Sequence, residues 1–175
     1  MDKKELARIL INSNENEKGG LPIFLNVDNE DIAVNLEDMH NFIVVGPNSN
    51  ATIDDLIDQI GRQWVTIINN SYELSEAYNN LMSNFYNREI LVPPQIIVIP
   101  DIAVFSGEEI KMLREMLNHG TSIHSYFICA CKTNTIADQY DVAIPVKMYD
   151  GFEPEEKDRI ENLITFSGTV RKISR

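Results

Sequence analysis

Four apolar runs decide most of what this chain can become. NFIVVG, WVTIIN, PPQIIVIPD and SYFICAC carry hydrophobic residues at consecutive rather than alternate positions, so each reads as a strand buried on both faces. Between them the spacing changes to that of a helix. Ile53, Leu56, Ile57 and Ile60 fall at i, i+3, i+4 and i+7; Leu74, Ala77, Tyr78, Leu81, Met82, Phe85 and Tyr86 form a longer stripe. Ile110, Leu113 and Leu117 form a third stripe, with Gly120 as its expected C-terminal stop. VAIPVKMY and GTVRKIS read as two further strands around a last helix in EPEEKDRIENLI. Buried strands alternating with helices predict an α/β fold, a mostly parallel sheet covered on both faces. Upstream, LPIFLNV and IAVNL, separated by DNED, predict a β-hairpin. MDKKELARILI places Leu6, Ile9 and Leu10 on one helical face, and the polar stretch NSNENEKGG ends it. The expected organisation is a helix and linker over 1–18 and one domain over 19–175.

Composition narrows the function. A chain of 175 residues, 43% hydrophobic, can bury one sizeable core. Lys+Arg number 15 against 27 Asp+Glu, a net charge of −12, and no basic cluster is dense enough to follow a phosphate backbone, so no nucleic-acid partner is expected. No apolar segment approaches the ~20 residues of a membrane helix, and the N-terminus lacks the order of a signal peptide. The expectation is a cytosolic piece without direct membrane contact. Cys129 and Cys131 alternate within YFICACK and should be buried free thiols on one strand face. His40, His119 and His124 lie far apart and read as structural or surface residues, His119 suiting a helix C-terminus. The pairs Glu108–Glu109 and Glu155–Glu156 fall on solvated helix faces, and neither a Ser/His/Asp order nor G-x-S-x-G occurs. No catalytic residue and no metal ligand is expected.

The one stretch with the position of a nucleotide site is VVGPNSNATI, between a buried strand and a helix. A phosphate-binding loop reads G-x-x-x-x-G-K-[ST]. Gly46 stands first, Pro47, Asn48, Ser49 and Asn50 follow, and Ala51, Thr52 and Ile53 occupy the Gly, Lys and Ser/Thr places. Thr52 brings no positive charge and Ile53 no magnesium ligand. Thr52 and Asp55 approximate a capping box, and Asp54 and Asp55 are expected to place negative charge at the positive end of the helix. The acidic strand that such hydrolases carry has one candidate, QIIVIPDI, where Pro100 takes the first acidic place and Asp101 the second. Asp101 reads as a loop-entry or capping aspartate. These residues together make a vestigial nucleotide loop, with no cofactor expected on it.

In order and spacing, these features resemble the motor domain of FtsK/SpoIIIE-type ATPases. LPIFLNVDNEDIAVNLEDMHNFIVVGPNSNATI resembles the entry to that domain, where L-P-[IV]-x-L-G-x-D, a hairpin, D-[LM]-x-x-x-P-H-[LV]-[LV]-[IV]-x-G and the phosphate loop follow in turn. QIIVIPDI resembles its acidic strand, and EMLNHGTSIHSYFICACKTNTI its later stretch, a helix ending before G-[IV]-H-[LF]-[IV]-[LV]-[AT]-[AT]-Q-R, with His124 at the family's His and Ala130 near the usual glutamine. The match covers roughly residues 19–150, each nucleotide motif being broken. The resemblance implies a three-layer P-loop NTPase-like fold of the RecA/FtsK kind. With all motifs decayed, the chain looks most like the C-terminal ATPase-like domain of type VII secretion coupling proteins, the EssC/EccC kind. That implies a pseudo-ATPase domain, itself no enzyme, inside a membrane-anchored and homo-oligomeric ATPase at the cytoplasmic side of the cell membrane. Its implied partners are neighbouring ATPase domains of the same chain and secreted protein substrates. A divergent nucleotide-binding ATPase domain is the alternative. For partners, the helix expected over 72–89 offers Tyr72, Tyr78, Phe85 and Tyr86, more aromatic surface than one core stripe needs.

Overall fold

The computed structural model describes residues 22–27, 30–35, 41–91, 94–133, 140, 144, 146–150 and 169–172; for 22–27, 30–35, 146–149 and 169–172 the description is of the backbone. The helices read at the N-terminus and in EPEEKDRIENLI lie outside the described residues.

Strands β1 (Pro22–Val27) and β2 (Glu30–Asn35) pair antiparallel, from Pro22 opposite Asn35 to Val27 opposite Glu30. The hairpin is tighter than DNED implied, because Glu30 and Asp31 already belong to the second strand. Among the described residues the main sheet has six strands: β3 (Phe42–Val45), β4 (Val65–Ile67), β5 (Gln95–Ile99), β6 (Ser125–Cys131), β7 (Val146–Tyr149) and β8 (Thr169–Lys172), in the order β4-β5-β6-β3-β7-β8. Every pairing in it is parallel. Helix α1 (Ser49–Ile60) follows β3, α2 (Ser71–Tyr86) follows β4 and α3 (Glu108–Gly120) follows β5.

The consecutive apolar runs are explained by the two core layers. Phe42, Val44, Ile96, Val98, Ile128 and Ala130 face α1, whose Ile53, Leu56, Ile57 and Ile60 complete that layer. Ile43, Val45, Ile97, Ile99, Phe127 and Cys129 face α2 and α3, meeting Leu74, Leu81, Leu113 and Leu117. The residues of β3 and β6, and of β5 after Gln95, are thus buried whichever way they point, whereas β4, read from WVTIIN as buried on both faces, is an edge strand with Val65 and Ile67 half-buried and Thr66 exposed. The chain leaves β3 through α1 for the far edge and returns through α2 and α3. Right-handed crossovers in opposite directions put their helices on opposite faces, as observed.

Two local features differ from expectation. Gly120 ends α3, but in ordinary right-handed geometry (φ −61°, ψ −41°). The chain continues into a 3-10 turn, Thr121–Ile123, and the left-handed residue is His124 at φ 62°. Gly120 is needed for close approach instead: a Cβ there would lie 3.0 Å from the Ser125 carbonyl oxygen and 3.1 Å from Phe127. The helix expected over 72–89 stops at Tyr86, with Arg88 at φ 56° just beyond.

Candidate functional site at the turn between β3 and α1

The turn lies at the C-terminal ends of the parallel strands. There β3 is followed by a connection to one side of the sheet while its neighbour β7 continues to the other, the place where open α/β sheets bind ligands. In the phosphate-loop pattern, four residues separate the glycines and wrap the anion. Here only Pro47 and Asn48 lie between Gly46 and the first helical residue, Ser49.

Five backbone donors of this turn, those of Gly46, Asn48, Ser49, Ala51 and Thr52, are used within the chain. Gly46 N–H donates to the Cys131 carbonyl at 3.0 Å and Ser49 N–H to the Gly46 carbonyl at 3.1 Å. Ala51 and Thr52 N–H donate to the Asn48 carbonyl at 3.1 and 3.4 Å. Asn48 N–H donates to the backbone carbonyl of Asp150 at 3.3 Å, and Asp150 N–H donates to the Val45 carbonyl at 2.8 Å. The Thr52 hydroxyl donates to the Asp150 carboxylate, which is 1% exposed. Gly46, at φ 140°, lies so close under Asp150 that a Cβ would come within 2.0 Å of its carbonyl oxygen. Ser49 Oγ is buried and has no hydrogen-bond partner among the described residues.

This geometry corrects the capping-box reading. Helix α1 starts earlier than Thr52; its N-cap is Asn48, which makes no side-chain capping bond, and the first turn holds no acidic residue. Thr52 is a buried second-turn residue bonded to Asp150, while the Asp55 carboxylate accepts from Gln59 Nε2 at 2.8 Å. Neither Asp54 nor Asp55 lies in the first turn; the carboxylate held at this end of the helix is that of Asp150. The sequence reading missed Asp150 because it is 98 residues from Thr52. The available signal was an acid directly after a strand of the same parallel sheet.

Pro100 and Asp101 follow β5, which is separated from β3 by β6. Asp101 caps the 3-10 turn Ile102–Val104, its carboxylate accepting from Ala103 N–H at 3.0 Å, as read from the sequence. The parallel spacing of ~4.8 Å per strand puts β5 roughly 10 Å from β3. Among the described residues no group of three or more His, Cys, Asp or Glu could hold a metal ion. A magnesium nucleotide does not fit this turn as it is built: the donors named above are occupied, a carboxylate lies against it, Thr52 supplies no cation and Ile53 no metal ligand, and the Thr52 hydroxyl is bonded to Asp150.

The four aromatic residues of α2 are not brought into one groove. The Tyr78 hydroxyl donates to the Glu115 carboxylate of α3, a bond that raises the phenol above its usual range, and Phe85 stacks on His119 at 4.3 Å. Tyr72 and Tyr86 remain 77% and 74% exposed, about 21 Å apart along the helix at 1.5 Å per residue. On α3, Arg114 lies 5.9 Å from the ring of Tyr140, whose buried hydroxyl has no hydrogen-bond partner among the described residues; Glu109 Oε2 is likewise buried and without a partner among them. Burial first, then the Cys129 thiol, pushes the Tyr140 phenol up to about 12, against the pull of Arg114. Cys129 and Cys131 are buried free thiols, and burial raises that of Cys129.

No protein-family model and no curated protein matches this sequence. Among solved structures, ATPases 2 and 3 of EssC from Geobacillus thermodenitrificans superpose with a TM-score of 0.54 at 10% identity, over 74% of this chain and 33% of that one. The cytoplasmic domain of the type VII secretion ATPase EccC from Thermomonospora curvata gives 0.50 at 14% identity, over 71% of this chain and 20% of that one. The chain therefore has the α/β fold of EssC and EccC ATPase domains, and spans a third or less of those proteins. Among the described residues no helix is long and apolar enough to cross a membrane.

Proposed function

We propose that this chain is a catalytically inactive ATPase-like domain of a type VII secretion coupling protein, acting by contact in substrate recognition or in regulation of neighbouring ATPase domains. The observation that carries the reading is the turn after β3, shortened to Pro47 and Asn48 and filled by Asp150. The loss of Lys, metal ligand and first acid at Thr52, Ile53 and Pro100 supports it from the sequence. On this reading Gly46–Ile53, Pro100 and Asp101 are the remains of a nucleotide site, and no cofactor is bound. The parent is a homo-oligomeric ATPase at the cytoplasmic side of the cell membrane. Function then resides on surfaces. Tyr72 and Tyr86, the exposed aromatic residues of α2, are the proposed contacts for a neighbouring domain or a helical export substrate.

The second reading, a divergent nucleotide-binding ATPase domain, draws on Ser49, whose buried hydroxyl at the start of α1 lacks a partner among the described residues. Steady-state hydrolysis separates the two. The domain should show no ATP turnover above background; turnover that disappears on Asp101→Asn would establish the second reading. For the contact role, isotope-labelled domain is titrated with the parent's preceding ATPase domain and with a helical export substrate. Shifts centred on Tyr72 and Tyr86 support it, and shifts confined to Gly46–Thr52 contradict it.

A further inference from the structure

One residue closes the turn from three directions. β7 pairs in register with β3, from Phe42 opposite Val146 to Val45 opposite Tyr149, so Asp150 is the first residue past the pairing at the mouth of β3. Its N–H holds Val45, its carbonyl holds Asn48 and its carboxylate holds Thr52. A carboxylate that is 1% exposed needs compensation for the water it loses. The Thr52 hydroxyl supplies a hydrogen bond, and the nearby N-terminal end of α1 supplies the positive end of a helix dipole. Those are the terms that make such a turn receptive to a bound oxyanion. The absence of a side chain at Gly46 is what lets the Asp150 backbone come this close.

We infer that Asp150 is an intramolecular anion standing in for a ligand, a lock that fastens β7 to the β3–α1 turn and keeps the crevice permanently in a filled state. The inference deepens the inactive-domain reading and rests on it. A loop that depends on a bound phosphate loses that support when the phosphate leaves; this one carries its own anion, tethered at an effective concentration that does not fall on dilution. Its order is therefore independent of nucleotide, and the surfaces joined to it are held in one arrangement.

Removing the carboxylate while leaving the backbone in place tests the lock. Asp150→Ala is melted at matched ionic strength in sodium chloride, sodium formate and inorganic phosphate, beside the wild type and Asp150→Asn. Formate should raise the melting temperature of Asp150→Ala by several degrees relative to chloride, and leave wild type and Asp150→Asn, whose sites are still filled, unmoved. An equal response of all three proteins, or none from Asp150→Ala, overturns the inference. Should Asp150→Ala fail to fold, Thr52→Val removes only the hydroxyl donor. Amide hydrogen exchange at Gly46, Asn48 and Asp150 should then quicken about tenfold, with Ile97 and Phe127 unchanged. Unaltered exchange at those three amides also overturns it. ATP hydrolysis by the wild type would instead sink the inactive-domain reading, whatever the anion response.

Discussion

Gly46→Ala should destabilise the domain by about 3–4 kcal/mol, and the structure supplies the parts of that figure. A non-glycine residue at φ 140° carries strain of about 1–3 kcal/mol. The new Cβ would sit 2.0, 2.8 and 3.2 Å from the O, C and N of Asp150, all backbone atoms, so β7 must retreat and not merely change a rotamer. Retreat breaks the bonds from Asp150 N–H to Val45 and from Asn48 N–H to Asp150, each about 1 kcal/mol net. The reduced freedom of the unfolded chain returns about 0.4–1 kcal/mol. Gly107→Ala is the control. Gly107 has φ 58° and ψ −123°, and a Cβ added there would meet nothing within 4 Å, so it should lose only the strain of about 1–3 kcal/mol, less the same unfolded-state return. Urea denaturation of wild type and both variants with a common m-value measures the difference. A Gly46→Ala loss within about 0.5 kcal/mol of Gly107→Ala, a gap no larger than ordinary scatter between surface substitutions, would refute the close packing of Asp150 on the turn.

Three further outcomes follow from the same geometry. Thr52→Lys should not create nucleotide binding in a fluorescent-ATP titration, because the added ammonium enters a site 3% exposed beside Asp150; it should cost about 1–3 kcal/mol of stability from overpacking. Tyr140→Phe should be neutral or stabilising by up to about 1 kcal/mol, since the hydroxyl it removes is buried without a partner among the described residues. The phenol's folded value of about 12 lies above the ordinary 10, so its contribution is complete below pH 10 and lost as pH rises toward 12; the Tyr140→Phe variant should lose less stability across that window, by about 2 kcal/mol in alkaline denaturation. The double substitution of Tyr72 and Tyr86 to Ala should change stability by less than about 0.5 kcal/mol per site, both being exposed, while weakening capture of the neighbouring domain in a pull-down.

The central strands β3, β5 and β6 were legible because burial on both faces leaves almost no polar positions to break the pattern. SYFICAC matches β6 from end to end, and QIIVI matches β5. Register and order were not legible, since the placement of β6 between β5 and β3 depends on crossovers that no local pattern records. The site was half readable. The missing lysine and metal ligand could be counted along the chain, and Asp101 caps a turn as its context suggested. The start of α1 at Ser49 was misplaced because Thr52 and Asp55 imitate a helix entry, whereas tertiary contact with Asp150 allows the helix to begin without a side-chain cap. Aromatic surplus on α2 was a fair signal of exposed rings, yet it could not separate Tyr78 and Phe85, taken up by Glu115 and His119, from Tyr72 and Tyr86.

The central claim is that the turn after β3 is filled from within, and titration calorimetry of the domain with ATP and Mg²⁺ addresses it most directly. With the donors of Gly46, Asn48, Ser49, Ala51 and Thr52 engaged and Asp150 in place, the predicted result is heat no greater than dilution up to millimolar nucleotide. Saturable binding in the micromolar range, abolished by a change at Asn48 or Ser49, would contradict it.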